Sequence, residues 1–144
     1  MGCLPLALAI FLFVTVPAFA QKCSEEFIRA NIDTHDQKLV TSDVYFFSGA
    51  LEKPMVGGFN TPDAKKIDEK ISHERKNEKY DPPKVDRIVV APSGDMAYSY
   101  GTEHMSFDQV STKEHIDFTA AFLKVWRVVD GACKIAATMY EPEK

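Results

Sequence analysis

From Lys84 to Tyr140 the chain reads as strands divided by turns, a pattern that leaves few ways to connect them. Val85 to Ala91 is β-branched and apolar, and Pro92-Ser93-Gly94-Asp95 is a turn signal. Met96 to Phe107 alternates, so that Met96, Tyr98, Tyr100, Thr102 and His104 share one side. A polar loop, Gln109 to Glu114, follows. Ile116 to Val129 is a long strand, Asp130-Gly131 a tight hairpin, and Ala132 to Tyr140 the returning strand. The expectation is a four-stranded antiparallel meander.

The half before it is helical in pattern. Ser24 is a suitable N-cap, with Glu25 and Glu26 at the positive end of the helix. Ile28, Ile32, His35 and Leu39 recur at helical spacing, which predicts a helix to about Thr41. Residues 42–60 give no single signal: Val44 to Phe47 is an apolar block, and Gly57-Gly58 marks a turn. Thr61 as cap and Pro62 at the first helical position open a second helix, expected to end before Asp81-Pro82-Pro83. The mixed-sign charges from Lys65 to Lys79 read as its solvated face. Helices first and strands afterwards predict an α+β fold, a strongly curved antiparallel sheet wrapped around N-terminal helices.

The N-terminus sets the compartment. Leu4 to Val16 is almost wholly apolar, Pro17 breaks it, and Ala18-Phe19-Ala20 suits a signal peptidase. A membrane span needs about 20 apolar residues, so residues 1–20 are expected to be a cleaved signal peptide rather than an anchor. Removing them from the 144 leaves 124, enough for one domain over 21–144. The expected location is secreted or periplasmic. A net charge of −4 without a basic stripe argues against nucleic acid, and against an anionic membrane surface once the signal is gone. Cys3 leaves with the signal, and Cys23 and Cys133 remain in an oxidising compartment. Two readings stand: a bridge between them, or two separate thiols with Cys133 buried in a strand.

Residues 93–102, Leu123-Lys124-Val125-Trp126-Arg127, Asp130-Gly131 and Lys134-Ile135 resemble the SnoaL-like branch of the nuclear transport factor two superfamily. The match covers residues 84–140. The branch often reads Gly-x-Trp-Lys in its hairpin strand; here Cys133 stands in the aromatic position. The resemblance implies a cone whose open end admits a small molecule, usually within a homodimer formed through the sheet. These motifs specify turns and strands, hence fold rather than chemistry.

Ketosteroid isomerases of that superfamily use an Asp base with an oxyanion hole of Tyr and protonated Asp. Asp43, Tyr98 and Tyr100 are the nearest candidates, but no catalytic set maps onto this chain. His104, His115 and Asp117 raise a metal question; Ile116 and Phe118 hold the apolar parity, which puts His115 and Asp117 outside, so no metal is assigned. No cofactor is implied. The ligand-binding candidates are Tyr98, Tyr100 and His104 on one strand, Phe122, Lys124 and Trp126 on the next, and His35 on the first helix. If both strand sets face the cone they form a pocket, and if both face out they form a dimer surface. The reading preferred on sequence is a pocket for a small, partly apolar molecule. The alternatives are an acid–base enzyme of the isomerase or cyclase type, or a ligand-free dimerisation module.

Overall fold

A computed structural model describes residues 21–34, 36–48, 55–57 and 62–143. Its frame is a seven-stranded curved sheet with few helices. Helix α1 spans Glu25–Asn31, a 3₁₀ turn Gln37–Leu39, β1 Val40–Ser48, β2 Met55–Val56 and α2 Pro62–Glu74. Strands β3 (Arg75–Tyr80), β4 (Lys84–Val90), β5 (Met96–Gln109), β6 (His115–Val129) and β7 (Ala132–Pro142) follow. The sheet order is β2-β1-β7-β6-β5-β3, and β4 also pairs with β5.

The meander β4-β5-β6-β7 stands as the sequence predicts, all antiparallel. Its turns use the expected chemistry. Asp130 and Gly131 both take positive φ (53° and 76°), the pair of left-handed residues that a two-residue hairpin requires. Gly94 has φ 72° and closes the β4–β5 turn by donating its N–H to the Ala91 carbonyl at 2.8 Å.

The first half departs from expectation twice. α1 starts where predicted, with Ser24 Oγ accepting the Phe27 N–H at 3.1 Å, but it stops at Asn31 rather than near Thr41. Beyond it Thr34 Oγ1 accepts from the Asp36 N–H, and Asp36 Oδ1 accepts from the Lys38 N–H. Such local side-chain bonds compete with helical ones. The β-branched Val40, Thr41 and Val44 then join β1, which runs parallel to β7. His35, Thr61 and residues 1–20 lie outside the described residues.

The second departure is the charge run Lys65 to Lys79. α2 ends at Glu74, and Arg75–Tyr80 form β3 instead of further helix. Asn77 takes φ 54°, and the pairing register slips between Lys76 and Lys79. β3 lies against the far half of β5 while β4 lies against its near half, joined through Asp81-Pro82-Pro83.

Which face lies inward follows from residue size. In register, Ala97 faces Trp126, Ser99 faces Lys124 and Gly101 faces Phe122. Small side chains on β5 thus leave room for large ones on β6. Ala97, Phe122 and Trp126 pack with Ile28, Ile32, Val44 and Ile135 into one core. A bulge at Ala136, between Ile135 and Ala137, shifts β7 parity so that Cys133, Ile135 and Thr138 are all buried. Cys23 and Cys133 are bonded, S–S 2.07 Å, which ties the segment before α1 to the β6–β7 hairpin. Gln21 adds an N–H to the Gly131 carbonyl at 2.7 Å. Among the described residues no helix is long and apolar enough to cross a membrane.

Candidate functional site

Between the segment that follows α1, β1 and the inner face of the sheet lies a cavity of about 140 Å³. Val40, Val44, Phe46 and Ile135 supply its apolar wall; Glu103, Lys124, Thr138 and Tyr140 supply a polar end, with Asp33 and Thr34 beside it. Parity explains how β5 and β6 deliver two charges to one place. Glu103 continues the inward row Ala97, Ser99, Gly101, and Lys124 lies between the inward Phe122 and Trp126.

Burying a charge costs free energy unless it is paired or hydrogen-bonded. Lys124 is 6% exposed, and its ammonium donates to the Ile32 carbonyl at the C-terminal end of α1, where helix carbonyls favour a cation. Burial pushes the Lys124 pKa down, while the negative charges of Glu103 and Asp33 push it back up. Glu103 is 8% exposed. The Tyr140 phenol donates to its carboxylate, and burial together with the charges of Glu103 and Asp33 raises the Tyr140 pKa far above its ordinary value. Tyr140 is framed by Phe46 and Phe122, with ring centroids 6.1 and 6.4 Å away.

The residues singled out in the sequence are not brought together. Phe122, Lys124 and Trp126 face inward, whereas Tyr98, Tyr100 and His104 face outward. Strand alternation alone groups the two sets as one face, but Tyr98 pairs with Val125 and Tyr100 with Leu123, so the register sets them on opposite sides. Of these candidates, among the described residues, only Lys124 lines the cavity. Trp126 is 0% exposed and donates its indole N–H to Ser99 Oγ at 3.0 Å, a core residue. Tyr98 and Tyr100 stack on the outer face at 6.5 Å. Sequence reasoning misses Asp33, Glu103, Thr138 and Tyr140. A signal exists for Glu103: it is the one carboxylate in the strand row Ala97, Ser99, Gly101, Met105, Phe107 and Gln109.

The other candidates have partners elsewhere. Asp43 is held by Arg127, both carboxylate oxygens at 2.7 Å, and that guanidinium lowers its pKa. His104 bridges Asp117 at 2.8 Å and Asp81 at 3.0 Å, and His115 pairs with Asp108 at 2.7 Å. Among the described residues no three His, Cys, Asp or Glu side chains are grouped to hold a metal ion.

No protein-family model matches the chain, and no curated protein does. Solved structures do. A ketosteroid isomerase-like protein from Erwinia carotovora atroseptica SCRI1043 aligns with TM-score 0.59 at 13% identity, over 74% of this chain and 78% of that one. An NTF2-like protein of unknown function from Prochlorococcus sp. NATL2A aligns with TM-score 0.56 at 15% identity, over 87% and 86%. A type 2 hexachlorocyclohexane dehydrochlorinase aligns with TM-score 0.55 at 12% identity, over 74% and 68%. At such identities the likeness concerns the fold. This chain has the fold of the nuclear transport factor two superfamily, to which the SnoaL-like proteins belong.

Proposed function

We propose that this is an exported protein of one domain whose curved sheet closes round α1 to hold a small, partly apolar molecule. The observation that carries the reading is the cluster of buried Glu103 and Lys124 with partly buried Tyr140, set against the apolar wall of Val40, Val44, Phe46 and Ile135 in one cavity. An apolar wall with a few convergent polar groups is the usual composition of a small-molecule site. The buried Cys23–Cys133 bond supports export, since such bonds persist in oxidising compartments.

Chemical-shift mapping with benzyl alcohol tests the site whatever the natural ligand is. The expected result is perturbation of Glu103, Thr138 and Tyr140. Shifts confined to the outer-face residues Tyr98, Tyr100 and His104 would overturn the reading.

A second reading is acid–base catalysis in the same cavity. It is favoured by one specific contact, the Tyr140 phenol donating to Glu103 beside an ammonium. A carboxylate and a phenol in hydrogen-bond contact can take a proton at one atom and return it at another. In this reading Glu103 and Tyr140 stand in place of the looser sequence candidates, His35 or an Asp with Tyr98 and Tyr100, none of which maps as a catalytic set.

A further inference from the structure

We propose that the polar end of the cavity receives the ammonium group of a small amine whose apolar body is about the size of one aromatic ring. The inference rests on the ligand-binding reading above and names the ligand class. Charge balance comes first. Among the described lining residues there are two carboxyl groups, Asp33 and Glu103, and one cation, Lys124. The lysine is committed to the fold: its ammonium is held on the Ile32 carbonyl, where it joins the end of α1 to β6.

What remains for a ligand is negative. The phenol of Tyr140 is held protonated by burial and by the charges of Glu103 and Asp33, so the field at that end of the cavity is felt by a third group. An ammonium brings three donors and no acceptor, which suits a site rich in carboxylate oxygens. A ligand carboxylate meets like charge there in a medium that screens poorly. Lys124 on its own suggests an acidic ligand; the full set of neighbours reverses that sign.

Size comes second. A cavity of about 140 Å³ is close to the roughly 150 Å³ known to hold a benzene ring. Val40, Val44 and Ile135 give the ring an apolar seat. The neighbouring rings of Phe46 and Tyr140, 6.1 Å apart, are aromatic partners suited to an adjacent cation.

The test compares benzylamine, benzyl alcohol and benzoate at pH 7 on the full, disulfide-bonded protein, with cavity resonances and calorimetry as readouts. Benzylamine is expected to bind at least about tenfold more tightly than benzyl alcohol, the scale of one charge-assisted hydrogen bond, and benzoate the least. Glu103→Gln should reduce the amine's advantage to less than about threefold, and Asp33→Asn at the exposed rim should reduce it in part. A folded Glu103→Gln variant with undiminished preference for the amine overturns the proposal. So does benzyl alcohol or benzoate binding the cavity as tightly as the amine, a result that leaves the pocket itself standing. Failure of all three probes to move cavity resonances removes both readings.

Discussion

Lys124 and Trp126 stand two residues apart on the same face of β6, yet their surroundings differ. The indole is enclosed in the core with its N–H on Ser99, whereas the ammonium reaches the end of α1 and lines the cavity. On the opposite face His104 shows what a carboxylate pair does to an exposed imidazole. Asp117 is the main cause of its raised pKa, and Asp81 adds to it. Because the folded protein binds this proton more tightly, the stabilisation is fully present below the ordinary value of about 6.5 and fades as pH rises through the raised midpoint. An NMR titration should place the His104 midpoint above that value, and Asp117→Asn should lower it. A midpoint at or below the ordinary value, unmoved by that substitution, would contradict the arrangement. At this scale the site is half legible in the sequence. A lysine between Phe122 and Trp126 is visibly out of pattern. Parity sorts residues within a strand, however, and does not say which row of β5 faces which row of β6. That depends on register, so parity alone groups Tyr98, Tyr100 and His104 with the wrong partners and passes over Glu103.

Among the elements, β5 organises the rest, pairing with β3, β4 and β6. At Gly101 it lies tight against β4, where an added Cβ would be 2.0 Å from the Lys84 carbonyl oxygen. That neighbour is backbone, so β4 itself must move; Gly101→Ala should destabilise the fold by about 1–3 kcal/mol, the cost of overpacking. Denaturant unfolding measures it, and an unchanged midpoint would show that β4 yields freely. The strands after Lys84 are legible because turn residues and β-branched runs carry local information. The helices before them are legible at their starts, Ser24 and Pro62, but not at their ends. Ile28, Ile32 and Leu39 keep helical spacing, yet α1 ends at Asn31, because Thr34 and Asp36 engage the backbone locally and β1 gains a long-range partner in β7. For the same reason Arg75–Tyr80, charged and helical in pattern, become a strand: β5 offers them an open edge.

Across the whole molecule the two faces of the sheet divide the tasks. The inner face carries the core, the cavity and the bond between Cys23 and Cys133, whose separation of 110 residues corresponds to roughly 4–5 kcal/mol in the chain-entropy account. The outer face presents Met96, Tyr98 and Tyr100 on β5 and Met139 on β7, each well exposed, with Leu123 and Val125 of β6 between them. Aromatic and methionine side chains concentrated in one patch are the composition of a protein–protein interface. A second copy of this chain is the partner we propose, since a sheet face can meet its own two-fold image and so bury the same patch on both sides. Light scattering at micromolar concentration should give the mass of two chains. Tyr98→Glu combined with Tyr100→Glu would set like charges against each other across that axis and should yield monomers. Because neither residue lines the cavity, binding of benzylamine should survive in the separated chains. A single-chain mass for the unaltered protein would remove the dimer, and loss of binding in the double variant would mean that the two faces are not independent.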